Sequence, residues 1–488
     1  MNNNLKFIIN NLGALEETTI EINKLTTIIG PNSSSKTYLV YLISGILKYL
    51  TNTNSQLSYA DNSRIGSNYL TQFTEELTLK LKENVPFFSF KFTSYYQALN
   101  TIANQFICGY TSNGACGAGL GISLLTSGNQ HLNIKIALND ITPFYEMEFE
   151  SIIFGDFLTI TKVKKSDDLM LVFNGGINLD PVFTEMLIYT IFSSIFSQIF
   201  KNILPSPFLI TSERSSIVVF NKMLNNLSNA TQRISYKENK NFNQLEDKFF
   251  VANTTDNSQP ITGLYQQAVL DNITYFEESV KNHHKKSQLV TLYPEVVQYL
   301  DSSINNSCSY VVKNADTFPE LSYQLPNNKE IQINATSSSI KSLYLLDSYI
   351  KQRAKEGDLL IIDEPELNLH PSNQRKVARL LAMLVNAGIN VMFTTHSDYI
   401  MNELNNLMLL HTLNSEDQTN LCSEYDVKKS ASLNYQDVTS YVINQQDNNK
   451  YKLQECEFKN GTFIYDSFDR EIMDFAQFAR EVRELADD

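Results

Sequence analysis

Apolar and polar positions sort the chain into a few legible elements. Leu5 to Ile9 and Thr18 to Ile22 read as strands, the second with alternating polar positions. Leu25 to Ile29 is a short apolar run of the kind a buried strand shows, and a turn separates it from a second apolar stretch, Tyr38 to Leu50, long enough for a helix. Far downstream, Leu359 to Ile362 is an unbroken aliphatic run, as expected of a central parallel strand buried on both faces. A further aliphatic strand, Ile389 to Phe393, follows it.

Between these, Leu70 to Leu81 has helical spacing, while His131 to Leu138, Tyr145 to Glu150, Leu158 to Val163 and Leu169 to Phe173 read as strands of an antiparallel lobe, with turns at Asn139-Asp140 and Ser166-Asp167-Asp168. Ile261 to Asn282 has helical spacing without a sustained heptad, which predicts a short helical arm rather than a long coiled coil. Ser467 to Asp488 places Ile472, Phe475, Phe478, Val482 and Leu485 on one helical face, to pack on the chain itself or to dock a partner.

Composition narrows the class. A chain of 488 residues with 42% hydrophobic and 19% charged content has material for two or three domains with real cores. A net charge of −14 argues against a surface that binds nucleic acid unaided, without excluding a local basic groove. Cys108, Cys116, Cys308, Cys422 and Cys456 are scattered with no paired spacing, which suits a reducing compartment and gives no zinc site. The start Met1-Asn2-Asn3-Asn4 lacks a signal-peptide pattern, and Met186 to Phe200 is too short and too polar to span a bilayer, so a cytoplasmic protein is expected.

The chemistry sits at the ends of the buried strands. Gly30, Pro31, Asn32, Ser33, Ser34, Ser35, Lys36 and Thr37 follow the first strand and open a helix, the context a phosphate-binding loop needs. Backbone N–H groups there face phosphate oxygens, Lys36 reaches the β- and γ-phosphates, and the Thr37 hydroxyl takes magnesium. The usual pattern has glycine where this chain has Ser35, and a Cβ there predicts weaker binding or slower hydrolysis. Asp363 and Glu364 end the aliphatic strand, where open α/β sheets bind ligands: Asp363 is the candidate metal ligand and Glu364 the candidate base for the attacking water. His396, in Thr394-Thr395-His396-Ser397, ends the next strand, placed to contact the γ-phosphate and that water. Gly114 to Gly121 reads as a flexible loop, and Lys281-Asn282-His283-His284-Lys285-Lys286 as a phosphate contact or a solvated helix end.

Taken in order, the loop from Gly30 to Thr37, the run Asp363-Glu364-Pro365-Glu366-Leu367-Asn368-Leu369-His370-Pro371 and Thr395-His396-Ser397 resemble the ABC-type ATPases of the overcoming-lysogenization-defect class, relatives of the SMC and recombination-repair ATPases. Ala335 to Leu343 resembles that class's signature segment, and Phe208 to Ser215 the strand ending in an arginine before its helical insertion. The resemblance implies an α/β fold: a P-loop ATPase head with a mixed sheet flanked by helices, an antiparallel β lobe and a helical insertion. Laid on this chain, it gives residues 1–50 as the first part of the head, 51–205 as the lobe with its helices, 206–334 as strand plus arm, 335–410 as signature to switch histidine, and 411–488 as a closing segment. It implies ATP and magnesium as ligands, with Thr37 and Asp363 on the metal. Ser337, Ser338 and Ser339 would contact the γ-phosphate held by a second copy, so that ATP joins two heads. Arg214 and Glu366 are further candidates, Arg214 for phosphate or the opposing subunit. Ser339 again stands where the class has glycine, so slow or partner-dependent hydrolysis is expected.

Many members of the class carry a C-terminal nuclease domain, and the residues after the switch histidine are too few for it and lack its spaced carboxylates. The resemblance is therefore to stand-alone ATPase components of anti-phage systems such as PARIS and Septu, implying a homo-oligomer that holds a separate nuclease effector and responds to a phage protein, with no membrane partner. Two alternatives stay open: an SMC-like DNA repair or maintenance ATPase, and a regulatory scaffold that binds ATP without hydrolysing it.

Overall fold

The computed structural model describes residues 5–51, 68–82, 87–112, 132–138, 144–153, 157–174, 181–220, 266–313, 320–446, 450–465, 477–478 and 480. The chain begins with β1 (Leu5–Asn10), β2 (Thr18–Ile22), β3 (Leu25–Ile29) and helix α1 (Lys36–Thr51). Next come α2 (Asn68–Lys82), β4 (Phe87–Lys91), α3 (Leu99–Ser112), β5 (Asn133–Leu138), β6 (Phe149–Ile153), β7 (Leu158–Lys162), β8 (Asp168–Phe173) and the long α4 (Pro181–Ile203). Strand β9 (Pro207–Ile210) precedes α5 (Gln267–Lys281), β10 (Ser309–Lys313), β11 (Glu320–Gln324), β12 (Glu330–Gln332) and α6 (Ser338–Gln352). The last part holds β13 (Leu359–Asp363), α7 (Pro371–Asn386), β14 (Asn390–Thr395), α8 (Asp398–Thr412), α9 (Ser415–Glu424), β15 (Val438–Gln445) and β16 (Tyr451–Glu455).

The site is carried by a mixed six-stranded sheet of order β16-β15-β3-β14-β13-β9, in which every neighbour pair is parallel except β15 with β16. Strand β13 shows why this sheet needs helices on both sides: Leu359 and Ile361 enter one apolar core, Leu360 and Ile362 the other. Each such side chain withdrawn from water contributes about 1.5–3 kcal/mol, which no half-exposed strand could supply. The register sets Asp363 beside Thr394 and Thr395 beside Ile29, so the carboxyl ends of β13, β14 and β3 finish level.

The α/β class and the mixed, helix-flanked sheet are as expected, and the details differ in instructive places. The strand predicted over His131 to Leu138 does not join the lobe. It is β5, which pairs with β1 in a separate antiparallel sheet β2-β1-β5, held by Asn100 and Asn104 of α3 bonding the backbone of Leu138 and Ile136. The lobe is instead β4-β8-β7-β6, and within Tyr145 to Glu150 a short 3-10 turn at Phe144–Glu146 precedes the strand start at Phe149. The region expected to be a helical arm holds α5 and also a three-stranded antiparallel sheet, β10-β11-β12. The Gly114 to Gly121 run and nearly all of Ser467 to Asp488 lie outside the described residues, as do positions 261–265 of the predicted arm helix.

Candidate functional site: a phosphate loop facing a carboxylate pair

The loop between β3 and α1 is built around two unusual backbones. Ser33 and Ser35 adopt left-handed φ values of 62° and 67°, a region that costs a residue with a Cβ about 1 kcal/mol or more. Ser35 has a compensation: its Oγ accepts the Ala14 N–H at 3.1 Å, tying the loop to the turn after β1. Gly30 has no room for a side chain, since a Cβ there would stand 2.8 Å from Ile443 Cβ and 3.3 Å from the Ile443 carbonyl on β15. Ser34 Oγ donates to the Pro31 carbonyl at 2.8 Å, whereas Pro31, Asn32 and Ser33 are exposed at the mouth.

Lys36 is buried, its ammonium donating to the carbonyls of Gly30 at 2.8 Å and Pro31 at 2.7 Å. Burial lowers its pKa to about 8, against the opposing pull of Glu364, Asp363 and Glu366. One residue on, Thr37 Oγ1 donates to both carboxylate oxygens of Asp363, at 3.2 and 3.1 Å. Thr394 Oγ1 also donates to Asp363 Oδ1 at 2.5 Å, which sequence reasoning missed although Thr394-Thr395 directly precedes the candidate histidine. Asp363 is almost fully buried, and desolvation raises its pKa despite these hydroxyl donors. A hydroxyl and a carboxylate side by side are hard oxygen donors and fit magnesium.

Glu364 turns out of β13 with φ 53°, its N–H shared between the carbonyl and hydroxyl of Thr394, both at 3.2 Å. The turn aims the carboxylate at the neighbouring strand end, where Oε1 lies 3.8 Å from His396 Nε2. Burial, and then the charge of Lys36, lower the His396 pKa to about 4, so the imidazole is neutral at physiological pH. Glu366 holds the backbone of the histidine, its Oε1 accepting the His396 main-chain N–H at 2.7 Å. The rest of the motif is a helix start: His370 caps α7, its ring nitrogen accepting from Ser372 N, with Pro371 in the first turn. Ser397 caps α8 and donates to Gln374 Oε1 at 2.5 Å, locking the two helix starts together.

Lys36, Thr37, Asp363, Glu364, Glu366 and His396 therefore form one cluster at the carboxyl ends of β3, β13 and β14. The serines of the signature segment share no hydrogen bond with it among the described residues. Ser337 caps α6 by accepting from Ile340 N and pairs with Ser339 Oγ at 2.8 Å, while Ser337 and Ser338 are exposed. Arg214 departs from expectation. It is fully buried and spends its guanidinium on backbone carbonyls: Thr211 at 3.2 Å, Ser342 at 3.2 Å, Asp363 at 2.8 Å and Glu364 at 2.6 Å. A cation enclosed in this way reaches neither a phosphate nor another subunit; it braces α6 against the end of β13.

A protein-family model described as "AAA ATPase domain" matches residues 5–401. Comparison with curated proteins returned no match. Among solved structures, an Smc head domain with an extended coiled coil, bound to the C-terminal domain of ScpA and derived from Pyrococcus furiosus, aligns with 97% of this chain and 100% of its own at 12% identity and a TM-score of 0.33. An SMC head domain from Thermotoga maritima aligns with 94% of this chain and 100% of its own at 10% identity and a TM-score of 0.29. No helix among the described residues is long and apolar enough to cross a membrane.

Proposed function

Because the chain belongs to the AAA ATPase domain family, we propose that it binds ATP between paired heads and hydrolyses it slowly to gate a separate effector. The observation that carries this reading is the meeting of Thr37 with Asp363 beside Lys36, with Glu364 and His396 facing each other on the same side. Magnesium, when bound, would be held by Thr37 and Asp363 and would neutralise charge on the β- and γ-phosphate oxygens. The loop backbone and Lys36 hold the phosphate chain, the lysine exchanging its carbonyl partners for phosphate oxygens. Glu364 accepts the proton of the attacking water, and neutral His396 offers a ring N–H to the γ-phosphate without adding charge. Glu366 anchors the backbone N–H of His396 and so fixes where that strand end lies.

The exposed serines at the start of α6 support a composite site, since a signature that closes over a second copy's nucleotide must face outward. A helix N-terminus behind them adds a favourable dipole for phosphate. The effector we propose is a nuclease of an anti-phage system, the reading that the resemblance to the ATPase components of PARIS and Septu suggests. A clamp that holds ATP with little turnover is favoured by one feature, the strained left-handed Ser35 in the phosphate loop.

ATP turnover of the purified chain, with Glu364→Gln and Lys36→Ala alongside, tests the proposal. Glu364→Gln is expected to keep ATP binding, lose about a hundredfold or more in turnover and accumulate paired heads on sizing. Lys36→Ala is expected to abolish binding. Normal turnover in Glu364→Gln removes that residue from the chemistry, and unchanged ATP affinity in Lys36→Ala removes the loop.

A further inference from the structure

The signature helix α6 has a second working face, remote from its serine-rich start. A cavity of about 510 Å³ lies against its C-terminal half, between Tyr344 and Lys351, and is closed by β10, β11 and the chain that leaves α5. Its walls are apolar and aromatic: Val290, Val297, Val312 and Leu321 with Tyr310 and Tyr344, whose rings meet edge to face at 5.1 Å. Its lip is basic, built from His283, His284, Lys285 and Lys286, all exposed.

The one cation in the cavity wall is already taken, shared between two carboxylates. Lys351 Nζ is 2.8 Å from both Asp347 and Asp301, and Asp347 also accepts from Asn305 at 2.8 Å. The lip is not balanced, for among the described residues no carboxylate stands within ion-pair distance of Lys285 or Lys286. On a chain of net charge −14, two adjacent lysines over an apolar hollow are a local exception. Its volume lies in the range that encloses small organic ligands, and its lip supplies the cations that fix an anionic end.

We propose that this cavity binds a small amphiphilic anion, an aromatic or acyl body carrying a phosphate or carboxylate, and that its occupancy sets the rate of the ATP site. The body would lie against Tyr310, Tyr344 and the valines, with the anion on Lys285 and Lys286. The wiring runs through α6. The Tyr310 hydroxyl donates to the Ile340 carbonyl at 2.5 Å, in the turn that Ser337 caps, and Arg214 joins the Ser342 carbonyl to those of Asp363 and Glu364. A ligand that shifts Tyr310 or the Tyr344 face therefore acts on the signature start and on the carboxylate pair together. This regulatory half rests on the ATPase reading above; the binding half does not.

The test is calorimetric binding of guanosine monophosphate, decanoate and anilinonaphthalene sulfonate to the full chain carrying Lys36→Ala, so that the phosphate loop does not contribute. At least one probe is expected to bind at a concentration below about 1 mM, and Lys285→Glu/Lys286→Glu and Val290→Trp are each expected to weaken it about tenfold or more. Retained binding of guanosine monophosphate alone would mark a phosphate site, and of decanoate alone a carboxylate site. Failure of all three probes, or binding indifferent to both variants, overturns the cavity as a ligand site. Capture of an acidic peptide in place of the small anions overturns it in favour of a protein partner. In the otherwise unaltered chain the bound probe is expected to change ATP turnover at least about twofold, an effect absent in Val290→Trp. Cavity-dependent binding with unchanged turnover overturns the coupling alone. Absence of any turnover counts against the ATPase reading and leaves the binding result standing.

Discussion

Arg214 donates to the backbone carbonyl of Asp363 at 2.8 Å, placing a buried guanidinium directly behind the carboxylate that meets Thr37. The same side chain reaches the Ser342 carbonyl in α6, so one cation spans the signature helix and the strand end that carries Glu364. Its counter-charges are Asp363, Glu366 and Glu364, which partly offset its desolvation.

Replacing it tests whether this brace is structural, functional or both. Arg214→Ala strands buried carbonyls and leaves the acidic cluster with Lys36 but without its buried guanidinium, at a cost of about 3 kcal/mol or more. A fall in melting temperature and a loss of turnover are both expected. Arg214→Lys keeps the charge but cannot reach four carbonyls at once, and is expected to recover stability in part while turnover stays low. Full activity in a stable Arg214→Ala protein would remove the coupling role.

Ser35 separates strain from tethering. Ser35→Gly relieves the left-handed φ of 67° and gives up the bond to Ala14 N–H, so turnover is expected to stay level or rise. Ser35→Ala keeps the strain and loses the bond, so a melting temperature below that of either parent or glycine variant is expected, reflecting about 1 kcal/mol. A large loss of activity in Ser35→Gly, measured as ATP turnover, would make the Ala14 tether essential to the site.

The pH profile follows from His396. Its pKa lies near 4 instead of the ordinary 6.5, because burial and then Lys36 disfavour the cation. The neutral form therefore persists as pH falls from 7 toward 5, and the acid limb of kcat/KM is expected well below 6. His396→Gln, uncharged throughout, is expected to lower turnover without introducing a limb near 6.5. An acid limb centred near 6.5 that disappears in this variant would contradict the buried, neutral imidazole.

Much of the site could be read before the fold was known because it rests on short-range rules. An apolar run, a turn and a second apolar run made β3, the loop and α1 legible, and Leu359 to Ile362 announced a strand buried on both faces. Strand β15 escaped notice for a physical reason. Its inward positions include Ser440, which hydrogen-bonds Thr27 Oγ1 at 2.6 Å inside the sheet, so hydropathy underrates a segment in which Val438, Tyr441 and Ile443 are also buried. The direction of Arg214 was equally hidden, since where a cation at a strand end points depends on elements distant in sequence, here α6 and β13.

That overlooked strand is also what makes Gly30 obligatory. Gly30→Ala would set a Cβ 2.8 Å from Ile443 Cβ, a separation at which something must shift, and neither atom lies at the far end of a flexible side chain. Relief requires β15 to move from β3, breaking a parallel pairing that runs from Val438 beside Leu25 to Val442 beside Ile29. A cost of about 1–3 kcal/mol is expected, seen as a lower melting temperature together with weaker ATP binding, because the Gly30 backbone pressed against β15 carries the carbonyl that Lys36 grips. Gly30→Ala with unchanged stability and unchanged affinity would mean that β15 yields freely and does not set the shape of the phosphate loop.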